Sequence, residues 1–140
     1  MDDVSRRVPR VDPWSVVIVV LTASIGSVLR SRLPPTVAIH FSAAGTPGNY
    51  VPRAVAVFGM PLVMVLTLAV LRGAARIDPP EDPRAFDVVV RSTMLLLAVV
   101  QGFTLGWSLR YRIPFAVVPA VVVLWSVLVV GYSLRAEGSR

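Results

Sequence analysis

A chain of 140 residues that is 55% hydrophobic and 16% charged, with a mean hydropathy of +0.72, has the length of one domain. It has too little polar surface to cover the core of a soluble one. There is no cysteine, which excludes a disulfide framework, a thiolate metal site and a cysteine nucleophile. The net charge of +6 comes from arginine alone, and these arginines flank apolar runs instead of forming one patch, which favours membrane over direct nucleic-acid binding.

Residues 1–13 form a polar tail. Trp14 to Leu29 then runs without a charge between Asp12 and Arg30. That is short of the roughly 20 residues needed to span about 30 Å of hydrocarbon, and continuing to Leu33 with Arg30 and Arg32 snorkelling supplies the missing turn. No small-x-small site ends the run, which argues against a cleaved leader.

From Leu33 to Tyr50 the chain cannot be helical. Pro34, Pro35 and Pro47 fix φ and remove donors, and Gly45 and Gly48 offer turn conformations. Between them Val37-Ala38-Ile39-His40-Phe41 suits an extended piece. The sole histidine, His40, lies here.

Ala54 to Leu71 is the second uncharged run, bracketed by Arg53 and Arg72 and interrupted by Pro61. A membrane helix tolerates such a proline when a neighbour satisfies the carbonyl it frees. A polar hinge follows from Arg72 to Arg84. The third run goes from Ser92 to Leu109, and the fourth from Ile113 to Leu134 with Pro114 in its first turn. The expectation is an all-α membrane protein of four transmembrane helices, with a Pro/Gly-bounded loop at residues 34–53 between the first two.

Nine arginines (Arg6, Arg7, Arg10, Arg72, Arg76, Arg84, Arg91, Arg135, Arg140) fall on one side and five (Arg30, Arg32, Arg53, Arg110, Arg112) on the other. The positive-inside rule then puts both termini in the cytoplasm and the His40 loop outside. Every acidic residue (Asp2, Asp3, Asp12, Asp78, Glu81, Asp82, Asp87, Glu137) falls on the inner side. The five outer arginines anchor helix ends, and together they make a face that attracts lipid phosphates, an anionic polymer or an acidic peptide.

No Asp, Glu, Lys or His lies mid-span, which argues against a proton- or ion-coupled transporter. Asp87 and Arg91, one turn apart, suggest a local pair. Gln101 is the lone amide in a span, and Gly102 and Gly106 beside it permit close helix contact or a homo-oligomer. Trp14, Trp107, Tyr111 and Tyr132 sit near interfaces, and Trp125 deeper, packed on another helix. His40 lacks an acid on its own side and a second histidine for a metal. Ser42, two residues on, shares its strand face. The expectation is no enzyme, no metal, no cofactor and a structural His40.

Leu33-Pro34, Ile39-His40-Phe41, Gly45-Thr46-Pro47 and Asn49-Tyr50, followed by Pro61 and Arg76-Ile77-Asp78-Pro79, resemble the pattern of the bacterial membrane domain of unknown function 1648. That domain is the N-terminal part of SdpI-type toxin-immunity proteins. The resemblance covers residues 14–80, with residues 81–140 adding helices three and four. Ala38 stands where the family often has proline, and Ser42 where Asn or Asp is usual. The immunity proteins are longer, so this chain looks like a shortened relative.

The resemblance implies a multi-pass protein of the bacterial inner membrane that protects against a membrane-acting toxin peptide. Pro34, Ile39, His40, Phe41, Gly45, Pro47, Asn49 and Tyr50 would form the outer recognition loop. The hinge with Arg76, Asp78 and Pro79 would face a repressor-type protein inside. A non-catalytic accessory subunit of a larger membrane complex is the alternative, and membrane lipids are partners under either.

Overall fold

A computed structural model describes residues 10–111 and 113–138. Asp2, Asp3, Arg6, Arg7, Arg112 and Arg140 lie outside the described residues, as does the side chain of Glu137.

Helix α1 spans Pro13–Leu29. Asp12 caps it by accepting the Ser15 N–H, and Pro13 occupies the first turn, where its missing donor costs nothing. A 3-10 turn, Arg30–Arg32, adds the expected extra turn. Strands β1 (Thr36–Ala38) and β2 (Tyr50–Pro52) follow, then α2 (Arg53–Ile77), α3 (Pro83–Ser108) and α4 (Val117–Gly138). All four helices are long and apolar enough to cross a membrane. The chain is a multi-pass membrane protein, with a two-stranded hairpin in the loop between its first two helices.

Two boundaries differ from the sequence reading. The hinge expected from Arg72 to Arg84 shrinks to Asp78–Asp82, because α2 continues through Ala74 and Ala75 to Ile77. Asp82 then caps α3 by accepting the Arg84 and Ala85 N–H groups, with Pro83 opening the helix. The fourth helix begins at Val117 and not at Ile113, so Pro114 lies before it. Pro119 occupies the first turn instead, where an N–H has no helical partner anyway. Phe115 explains the shift, since its ring is drawn into an aromatic cluster that a helix begun at Ile113 would have to rebuild.

Helices α1, α2 and α3 pack on one another, whereas α4 packs on α3 alone. Val19, Met64 and Met94 form one buried cluster, with Met60, Leu68 and Leu97 against it. Leu33, Val37, Ala56, Val57 and Leu105 form a second beneath the hairpin. Gly26 allows the close approach of α1 to α2 there, because a Cβ at this position would meet Val57 Cγ1 at 3.1 Å.

Pro61 is buried inside α2 and cannot bond the carbonyl four residues back, that of Val57. Gln101 of α3 takes over. Its Nε2 donates to the Ala56 oxygen at 2.9 Å and to the Val57 oxygen at 3.3 Å. The lone amide in the apolar spans therefore mends the break made by the lone mid-helix proline of α2.

Gly102 and Gly106 do not bring two helices of this chain together. Nothing lies within 4 Å of a Cβ built on Gly102, and one on Gly106 would meet Ile113 Cδ1 at 3.1 Å. Instead they line an open groove between α1 and α3. Trp125 faces α3 across a second groove, with Ser92 and Tyr132 nearby.

Candidate functional site

The loop between α1 and α2 is an ordered hairpin. Thr36 pairs with Pro52, Val37 with Val51 and Ala38 with Tyr50 in antiparallel register. Beyond the strands, Ile39 N–H donates to the Asn49 oxygen at 2.9 Å and Gly48 N–H to the His40 oxygen at 2.7 Å. Phe41 bridges Pro47. The tip closes with Ser42 N–H donating to the Thr46 oxygen (2.9 Å) and Gly45 N–H to the Ser42 oxygen (2.8 Å). This is a three-residue hairpin loop with its last position left-handed. Gly45 fills that position at φ 78°, where a side chain would be strained.

Alternation along the strand decides what the hairpin shows. Phe41 points into the molecule, with its ring centroid 5.1 Å from Trp107, 5.6 Å from Phe103 and 5.8 Å from Phe115. The pairs with Trp107 and Phe103 are edge-on, and rings so placed attract by about 0.5–1.5 kcal/mol per pair beyond their burial. The tip also presses on this cluster, since a Cβ on Gly45 would come within 3.1 Å of Phe115 Cβ. His40 and Ser42, on the opposite face, are exposed, and Ile39, Asn49 and Tyr50 are exposed as well; Pro34 is exposed at the base and Pro47 half-buried. The His40 ring lies along Gly48, where a Cβ would meet its Cδ2 at 3.3 Å.

The Ser42 hydroxyl accepts the Thr46 N–H at 3.1 Å, which ties it into the turn. Among the described residues no group of three His, Asp or Glu could hold a metal ion. Arg53 fastens the base of the hairpin: its N–H donates to the Pro35 oxygen at 2.9 Å and its Nη1 to the Leu33 oxygen at 3.4 Å. Arg30, Arg32 and Arg110 are exposed at the same end of the bundle. Arg110 closes α3 in a left-handed conformation (φ 66°), with its N–H on the Trp107 oxygen and that of Tyr111 on the Gly106 oxygen.

The opposite end holds every described acidic residue, and here the ionic pattern differs from the sequence reading. Asp87 and Arg91 do not pair along α3; each reaches another helix. Arg91 grips Asp12 with two bonds of 3.0 Å, Nε to Oδ2 and Nη2 to Oδ1. Asp87 Oδ1 accepts from Arg72 Nη1 at 2.8 Å. The i, i+4 spacing puts both side chains on one face, and that face looks onto α1 and α2, where a buried carboxylate and a buried guanidinium stand closer to hand. Asp12 is 8% exposed and also accepts from the Ser15 hydroxyl. The Arg91 hydrogen bonds hold its carboxyl below the ordinary value of 3.8, against the opposing pull of burial.

Arg72 is 5% exposed and lies 5.3 Å over the Phe86 ring. In the link between α2 and α3, Arg76, Asp78 and Pro79 are exposed, and the Asp78 N–H closes α2 on the Ala74 oxygen.

The sequence reading thus located the hairpin residues but missed what they dock on. Phe103 and Trp107, four apart on one helix face, were a legible half of the cluster. Nothing local marked Phe115 as the other half. No curated protein and no solved structure matches this chain. Residues 17–65, from within α1 through the hairpin to the middle of α2, match the family model of a domain of unknown function, DUF1648.

Proposed function

We propose that this chain is a non-catalytic receptor of the bacterial inner membrane, with both termini cytoplasmic. In this reading it gives immunity to, or signals the presence of, a membrane-acting toxin peptide. The observation that carries it is the hairpin itself: Phe41 fixes it to the bundle while Ile39, His40, Asn49 and Tyr50 stay exposed. A loop held in one conformation loses little entropy on binding, which favours recognition. Its end of the molecule has only positive charge among the described residues, which suits a peptide with anionic groups. The resemblance of residues 14–80 to the N-terminal part of SdpI-type proteins supplies the toxin-immunity class. The short link with Arg76, Asp78 and Pro79 is then the place for a repressor-type partner. The tied Ser42 hydroxyl, and a hairpin end that holds no acidic residue among those described, support a role without catalysis.

An accessory subunit of a larger membrane complex is the second reading. It draws on α4, which packs on α3 alone and exposes Val123, Leu124, Val127 and Leu128.

The test is survival of deletion cells under toxin-peptide challenge, complemented with the wild-type chain, His40→Ala or Tyr50→Ala. Sensitised deletion cells, rescued by wild type and less by the two variants, support the receptor. Unchanged survival at every dose removes the immunity reading and leaves the accessory subunit.

A further inference from the structure

The groove between α1 and α3 has a volume of about 420 Å³ and is open along one side. Ile25 and Leu29 form one wall, and Gly102, with nothing within 4 Å of a Cβ built on it, leaves the other wall bare at its middle. Its α3 side runs from Ala98 to Leu109, eleven steps of about 1.5 Å, or roughly 16 Å. Half of a hydrocarbon core about 30 Å thick has that length, and Ala98 lies near the middle of α3. The groove therefore starts near the membrane midplane and ends at the interface on the hairpin side.

At that end stand Arg32, on its exposed 3-10 turn, and the exposed Tyr111. No acidic residue among those described lies at this end to neutralise Arg32, and Arg30 and Arg110 add to the charge.

We propose that this groove is a binding site for one anionic phospholipid. An acyl chain lies against the open face at Gly102, and the headgroup phosphate meets Arg32 and the Tyr111 hydroxyl. The chain would restore the contacts that Gly102 leaves unmade, and the guanidinium suits a phosphate at the interface. The site holds whichever side of the membrane the hairpin faces, and it does not depend on the toxin reading.

The test uses the full chain in detergent, with bound lipid counted by native mass spectrometry. The probes are phosphatidylglycerol, phosphatidylcholine with the same acyl chains, and glycerol phosphate alone. Retention of phosphatidylglycerol over both others is expected. Arg32→Gln should weaken it about fivefold, the effect of one arginine near an anionic surface. Gly102→Leu should abolish it by filling the groove. Gly73→Leu, another position with open space around the glycine, should keep it and serve as the control for leucine at a helical glycine.

Equal retention by wild type, Arg32→Gln and Gly102→Leu would overturn the proposal, as would equal retention of phosphatidylcholine. Binding of glycerol phosphate as tight as that of the whole lipid would show an anion site without the groove. A dimer that Gly102→Leu dissolves in every lipid would assign the groove to a second copy. Should Gly102→Leu fail to fold, Arg32→Gln on the exposed turn decides alone.

Discussion

The bond from Gln101 to the break at Pro61 makes a sharp quantitative prediction. Gln101→Leu removes the Nε2 that serves the Ala56 and Val57 oxygens and keeps an apolar side chain of similar bulk in a site 4% exposed. A buried carbonyl left without a donor costs about 1–3 kcal/mol, and interhelical bonds in membranes average about 0.6 kcal/mol and reach about 1.7 kcal/mol. The expected loss is therefore about 1–2 kcal/mol. Pro61→Ala restores the N–H that Val57 lacks, so in that background Gln101→Leu should cost about 1 kcal/mol less. Wild type, both single variants and the double variant would be unfolded reversibly in mixed micelles, and the coupling taken from the four free energies. An equal cost of Gln101→Leu in both backgrounds would refute the reasoning, since the amide would then be serving something other than the proline gap.

The ion pairs yield two further predictions. Asp87→Ala strands Arg72, and because the Asp87 carboxylate is 42% exposed the expected cost falls below the usual 3–5 kcal/mol for a fully buried pair, to about 2–3 kcal/mol. Arg72→Met with Asp87→Leu should recover most of it in thermal unfolding, and a double variant no better than Asp87→Ala would sink that account. The Asp12 carboxyl is held below 3.8 by Arg91, so the folded state binds its proton less readily than the unfolded one. Its stabilising effect is complete well above pH 3.8 and is lost as pH falls below that value. The gap in unfolding temperature between wild type and Asp12→Asn should close over that acid range and stay constant from pH 5 to 8.

What the sequence revealed and what it hid divide along a physical line. Uncharged runs bracketed by arginine mark spans because a charge in hydrocarbon is costly, and that rule needs no knowledge of neighbours. The same holds for Pro34, Gly45 and Pro47, whose backbone limits act locally. Contacts between distant parts of the chain leave no such trace. Arg91 lies 79 residues from Asp12, and a local partner at Asp87 satisfied the same spacing rule, so the sequence favoured the wrong pair. Gln101 and Pro61 were each conspicuous alone, and only the packing of α3 on α2 joins them. The Gly102/Gly106 pair advertised a helix contact, yet spacing cannot say whether a bare face meets another helix or an open groove.

The two ends of the bundle are held by different forces, and this bears on what can change without loss of fold. At the end with the described acids, Asp12–Arg91 and Arg72–Asp87 tie α1 and α2 to α3, so a lost charge there is felt across helices. At the hairpin end the fastening is aromatic and backbone-based. Phe41 sits among Phe103, Trp107 and Phe115, and Arg53 holds the base through carbonyl oxygens. His40, Asn49 and Tyr50 contribute backbone bonds that any L-residue could make, while their side chains are exposed, that of His40 lying along Gly48. Their side chains are thus free to vary with whatever the hairpin meets, at little expense to the scaffold. In the proposed receptor such a surface would separate recognition from stability, and substitutions of these three residues should leave unfolding nearly unchanged.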